Sequence, residues 1–192
     1  KRIGFVGAGT MGIPMISNLI KAGFSVLAYD IRPEAVEEAK KRGAAVAGSS
    51  AAAARDSEMV VTMLPSSSDV EVAYLGPKGV LEGAPAGRLC VDMSTIDPGT
   101  SRRVAERAKA KGVRFLDAPV SGALPRAIEG TLTIMVGGEA KDLEEARAAL
   151  SAMGSNIIHV GPVGSGEVAK LCNNLIAGVA AGNSGGAVQR HP

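Results

Sequence analysis

Residues 1–19 read Lys1-Arg2-Ile3-Gly4-Phe5-Val6-Gly7-Ala8-Gly9-Thr10-Met11-Gly12-Ile13-Pro14-Met15-Ile16-Ser17-Asn18-Leu19, and their order decides the fold. A short apolar run, Arg2–Val6, has the composition of a buried strand. It leads into Gly-x-Gly-x-x-Gly, and Met11–Ala22 then has the apolar spacing of a helix. Strand, turn and helix in that order are the context the dinucleotide fingerprint requires. Gly7 makes the tight turn, Gly9 lets the backbone approach a pyrophosphate, and Gly12 lets helix and strand pack closely. Ala8, Thr10 and Met11 complete this cofactor turn, at a helix start whose free N–H groups and dipole favour an anion.

Working outward, a second strand at Ser25–Tyr29 ends in Asp30. A carboxylate there suits the ribose hydroxyls of the adenosine half and repels a 2′-phosphate, which predicts NAD over NADP. Arg32, two residues on, softens that preference. Further strands are expected at Ala45–Val46, Met59–Met63, Leu89–Asp92 and Arg114–Leu116. Helices are expected between them at Pro33–Arg42, Val70–Tyr74 and Pro98–Lys111. A second unit follows: strand Thr131–Val136, helix Lys141–Met153, strand Ile157–Val160 and an apolar helix at Glu167–Ala177. This alternation predicts an α/β, Rossmann-like, doubly wound and mostly parallel sheet. The expected division is a cofactor domain over 1–163 and, over 164–192, the start of a further helix with an irregular tail. Gly182-Asn183-Ser184-Gly185-Gly186 is expected to break any helix, and the ending reads as truncated.

Composition narrows the function classes. The 192 residues are 46% hydrophobic but only 3% aromatic, so the core must be aliphatic. A formal charge of +2, with both signs dispersed, offers no basic stripe for nucleic acid. No apolar run reaches the roughly 18 residues of a membrane span. Cys90 and Cys172 are too few for a disulfide framework or a metal site, which favours a reducing, intracellular setting. His159 and His191 have no partners at metal or triad spacing, and Cys172 reads as helix packing.

The fingerprint through Leu19 resembles that of the β-hydroxyacid dehydrogenase family, most of all the branch acting on 3-hydroxyisobutyrate. Met63-Leu64-Pro65, Asp92-Met93-Ser94-Thr95-Ile96-Asp97-Pro98, Asp117-Ala118-Pro119-Val120-Ser121-Gly122, Gly130-Thr131-Leu132 and Gly164-Ser165-Gly166-Glu167-Val168-Ala169-Lys170-Leu171-Cys172-Asn173-Asn174 continue the likeness in order. The resemblance implies that Leu64, Pro65 and Thr95 join the cofactor set, although Ser94 and Thr95 equally suit capping of the helix at Pro98. It also implies that Lys170 is the acid/base group and Asn174 the substrate contact, with Asn173 the weaker candidate. Ser121 and the backbone N–H groups of Gly122 and Ala123 would hold a substrate carboxylate. The family has a second glycine where this chain has Ala123, so the pocket narrows or the loop moves.

The implied reaction is NAD-dependent oxidation of a small 3-hydroxy acid, 3-hydroxyisobutyrate to methylmalonate semialdehyde. Reduction of tartronate semialdehyde, or dinucleotide binding without catalysis, are the alternatives. The lysine must lose its proton near neutrality, which burial and a positive nicotinamide ring would both favour. The family also implies an all-α second domain, absent here, a homo-oligomer for a full-length form, and a cytoplasmic or mitochondrial-matrix setting.

Overall fold

The computed structural model describes residues 1–184. Six parallel strands form the first part of the sheet: β1 Arg2–Val6, β2 Ser25–Tyr29, β3 Ala45–Val46, β4 Met59–Thr62, β5 Leu89–Asp92 and β6 Arg114–Asp117. Their spatial order is β3-β2-β1-β4-β5-β6, so the chain winds outward in both directions from β1 and β4. Loops leaving the carboxyl ends of β1 and β4 therefore diverge and open a crevice, the place where ligands sit in such sheets.

β7 (Val120–Ser121) continues β6 beyond Ala118-Pro119, and both lie antiparallel along one side of β8 (Leu132–Gly137). β9 (Gly154–Gly161) pairs parallel on the other side of β8.

The connecting helices are α1 Gly12–Lys21, α2 Pro33–Lys41, α3 Ser50–Arg55, α4 Ser67–Leu75, α5 Val80–Gly83, α6 Pro98–Ala110, α7 Ala123–Glu129, α8 Ala140–Met153 and α9 Ser165–Ser184. They cover both faces of the sheet. Ile3, Phe5, Met59, Val61, Leu89 and Val91 point to one face, where Met15, Ile16 and Leu19 of α1 and Leu143, Leu150 and Met153 of α8 meet them. The intervening Val60 and Cys90 point to the other face, toward Val70 and Tyr74 of α4 and Val104 of α6. This alternation is the two-residue period of a strand. The aliphatic core foreseen from composition is present, although Tyr74 is fully buried and meets Phe115 edge to face at 5.5 Å.

The doubly wound, mostly parallel sheet agrees with the sequence reading, but several details do not. α3, α5, α7 and β7 were not expected. α3 starts where the Ser49 hydroxyl accepts from Ala52 N–H, and α4 starts at Ser67 rather than Val70 because Ser66 caps Asp69 N–H. Asp97, not Ser94 or Thr95, caps α6 through Thr100 N–H at 2.8 Å. The helix carrying Lys170 does not stop near Ala177; it passes Gly178 and Gly182 to Ser184. An isolated glycine costs a helix only about 1 kcal/mol and does not by itself end it. The irregular tail is expected from Gly178; α9 replaces it as far as Ser184, and the rest, with His191, lies outside the described residues. Cys172 is exposed, not packed. Among the described residues no helix is long and apolar enough to cross a membrane.

Candidate functional site

The turn between β1 and α1 divides its three glycines by the space around them. Gly7 has φ of 100°, and a Cβ there would strike the Met63 carbonyl; a Cβ on Gly12 would strike the Gly7 carbonyl. Gly9 differs, because a Cβ would meet only the Arg32 guanidinium, at 3.4 Å. Two glycines thus let protein pack on protein, while the third leaves bare backbone facing outward. The turn is tied down by Gly7 N–H to the Tyr29 carbonyl (2.9 Å) and Ala8 N–H to Asp30 Oδ2 (2.8 Å). α1 has Met11 at its N-cap, with no side-chain cap and no acidic residue in its first turn, so no side chain of its own offsets the positive end of its dipole.

A cavity of about 800 Å³ lies over this turn. Gly7, Gly9, Thr10, Met11 and Gly12 line it, as do Asp30, Arg32, Leu64 and Pro65 from the neighbouring strand ends. Ala8 lines a second cavity, of about 490 Å³, shared with α1 and α2. Thr95 lies outside both linings, half-buried beside Ser94. Sequence reasoning missed Ile31, 83% exposed at the cavity, and Lys78, whose backbone takes the left-handed φ of 56° in the α4–α5 turn. The Pro77-Lys78-Gly79 turn was its available signal.

Asp30 does more than face the cavity. Besides Ala8 N–H, it accepts from Arg32 N–H at 2.9 Å and from Arg32 Nε at 3.1 Å. Its carboxylate hydrogen bond and charge raise the already high pKa of the Arg32 guanidinium. Arg32 is thus committed first to Asp30 and, with its side chain about half exposed, stays at the cavity rim.

A second group of polar residues gathers where α9 meets the ends of β5 and β6. Asp117, read from the sequence only as part of a substrate signature, is fully buried and clamps the start of α9. Its Oδ1 accepts from Gly164 N–H at 2.7 Å and its Oδ2 from Glu167 N–H at 3.0 Å. Burial raises its pKa, against the pull of those backbone donors. Asp92 is equally buried, and its Oδ1 accepts from Thr62 Oγ1 (2.7 Å) and Ser94 Oγ (2.6 Å). Ser94 Oγ in turn accepts from Leu64 N–H, which joins this network to the cavity wall.

Lys170 follows Asp117's anchor by about one helical turn. It is 9% exposed, and burial lowers its pKa while the nearby Glu167 opposes the shift. Beyond it α9 is exposed from Leu171 through Val179. Both asparagines are exposed, and the structure brings Asn173 to the end of β7, with its amide donating to Ser121 Oγ at 3.4 Å. Gly122 has φ of 133° and Ala123 φ of 55°. Ala123 therefore adopts the left-handed conformation that a second glycine would take without steric cost.

Comparisons with known proteins agree with this geometry. The family model describing the NAD binding domain of 6-phosphogluconate dehydrogenase matches residues 2–161. The chain is 43% identical to the mitochondrial 3-hydroxyisobutyrate dehydrogenase of Rattus norvegicus, over 92% of this chain and 53% of that protein. It is 45% identical to the NAD-dependent L-serine dehydrogenase of Pseudomonas aeruginosa, over 93% of this chain and 60% of that protein. A solved structure of Mycobacterium tuberculosis 3-hydroxyisobutyrate dehydrogenase with L-serine superposes with a TM-score of 0.88 at 40% identity, covering 92% of this chain and 60% of that one. The chain thus spans about half to three-fifths the length of the relatives it matches.

Proposed function

We propose that this chain, which belongs to the family of NAD binding domains represented by that of 6-phosphogluconate dehydrogenase, is the cofactor-binding part of a dehydrogenase acting on small 3-hydroxy acids. The observation that carries the reading is a buried amine, Lys170, on a helix whose Asn173 reaches Ser121 at the end of β7. Residues 1–163 form the cofactor domain in this reading, and α9 opens the part that carries the acid/base group.

The cradle fits a dinucleotide. Gly9 leaves room for a pyrophosphate that a side chain would fill, and the uncapped start of α1 favours its charge. Asp30 and Ile31 line the same cavity, where the carboxylate would accept from ribose hydroxyls and the apolar side chain would meet a base. Thr95 joins these residues only if a bound cofactor extends beyond the cavity lining. NAD⁺ would supply the hydride acceptor.

This chain's residues supply the rest. The neutral Lys170 amine takes the hydroxyl proton as the alcohol is oxidised, and returns it to the carbonyl oxygen in the reverse direction. Ser121 Oγ and the Gly122 and Ala123 N–H groups hold the substrate carboxylate, with Asn173 and Asn174 beside them on α9. The substrates named for the relatives, 3-hydroxyisobutyrate and L-serine, share a carboxylate two carbons from a primary alcohol. 3-Hydroxyisobutyrate is the first assignment. L-Serine is a second reading, favoured by the L-serine dehydrogenase relative. The exposed Leu175, Ile176 and Val179 suit association with further protein, a second copy included, and the setting proposed is intracellular.

Reduced-cofactor absorbance with NAD⁺ and either acid tests the proposal. Lys170→Ala should lower turnover by at least about 100-fold, the usual worth of a positioned acid/base. An unchanged rate would refute the role of Lys170, and NAD⁺ binding without turnover by the unsubstituted chain would favour a binding module.

A further inference from the structure

Glu167 lies three residues before Lys170 on α9, so the two side chains are neighbours on one helix face. It is fully buried, yet only one of its oxygens is satisfied: Oε2 accepts from Ile96 N–H at 3.1 Å, while Oε1 has no hydrogen-bond partner. An ionised carboxylate with a bare, buried oxygen is costly, and protonating that oxygen removes the charge, the larger part of the cost.

Charged side chains approach Glu167 from several elements. β5 brings Asp92 and β6 brings Asp117, both anionic when ionised and both disfavouring a third negative charge. α9 itself brings Lys170, the cation that favours one. α6 brings Arg102, which lies against Gly164 at the start of the helix. β8 carries no charged side chain, and β9 carries His159, whose ring is tied to the Gly138 carbonyl at 2.7 Å.

We propose that Glu167 is a positioning residue for the reaction, acting through the proton on the Lys170 amine, so that the two side chains titrate as one coupled pair. When Glu167 is ionised its charge favours the ammonium form of Lys170 through space, without a direct ion pair between them. When it carries a proton on its bare oxygen that influence is lost, and the ammonium form is no longer favoured by a neighbouring charge. Burial and the two aspartates push Glu167 up to about 8, so the exchange falls in the neutral range. Its bearing on turnover rests on Lys170 being the acid/base group, as proposed above; the coupling itself does not.

Titration of the 192-residue chain by carbon-13 NMR, without cofactor or substrate, tests the coupling. The Lys170 Cε signal is identified by its loss in Lys170→Arg. It should show two inflections, one shared with the Glu167 carboxyl carbon. In Glu167→Gln, which keeps an acceptor for Ile96 N–H, the first should vanish. The Lys170 midpoint should then fall by about one pH unit. An unmoved midpoint would overturn the proposal. If that variant does not fold, the unsubstituted chain decides. A Glu167 carboxyl titrating near neutrality in step with Lys170 upholds the coupling, and one titrating below about 5 overturns it. Neither result depends on turnover, so a failed Lys170→Ala assay and a failed coupling are separate outcomes.

Discussion

Replacing Asp117 with alanine tests how the start of α9 is held. The carboxylate is buried and accepts two backbone hydrogen bonds, from Gly164 and Glu167. Removing it leaves two buried N–H groups unpaired, at about 1–3 kcal/mol each. Part of that is offset because the folded chain no longer buries a charge, a burden evident in the raised pKa of Asp117. A net loss of about 2–4 kcal/mol is expected. It should appear as a lower urea midpoint, with faster hydrogen exchange at the Glu167 and Val168 amides. Because Lys170 rides on the same helix, nicotinamide-dependent turnover should fall as well. A loss under about 1 kcal/mol with the α9 amides still protected would refute the reasoning.

Other substitutions probe separate links. Gly12→Ala drives a Cβ into the Gly7 carbonyl and should cost about 2–3 kcal/mol in denaturant unfolding, as overpacking does; a neutral result would mean that the turn is not closed as described. Ala123→Gly relieves a left-handed alanine and should stabilise the fold by about 0.5–1 kcal/mol after the added freedom of the unfolded chain is counted, which thermal melts can check. For Glu167, the folded value of about 8 exceeds the ordinary 4.5, so the folded chain binds a proton that the unfolded chain has lost. Its contribution is therefore full below about 4.5 and is lost as pH rises through about 8. Denaturation midpoints of the unsubstituted chain should fall across that window relative to Glu167→Gln, and parallel curves would contradict the assignment.

Much of this molecule is legible in local sequence because its signals are local. Val6, the glycines after it and Asp30 line one crevice, each brought there by the strand or turn that its own stretch of sequence predicts. What the sequence concealed is either short or non-local. The serine caps at Ser49 and Ser66 turn stretches that read as loop into α3 and an extended α4. Asp117 gave no sign that it would hold a helix starting 48 residues later at Ser165, since that contact exists only once β6 and α9 meet. Glu167 enters the sequence only as the first residue of the expected apolar helix; its signal was its spacing from Lys170, but its burial follows from the packing of α9 against β6 and β8. The motif singles out Asn174 as the substrate contact, while the hydrogen bond from Asn173 to Ser121 is set by helix phase and is not visible in the motif.

The central claim is that the glycine turn is a dinucleotide cradle, and isothermal titration of NAD⁺ into the chain and into Gly9→Ala tests it most directly. A Cβ at Gly9 meets only the flexible end of Arg32, so the variant should melt with the unsubstituted chain. Its NAD⁺ affinity should fall by about 100-fold or more, because the added carbon occupies the approach of the pyrophosphate. Equal affinity in the two folded chains, or no NAD⁺ binding by the unsubstituted one, would contradict the account.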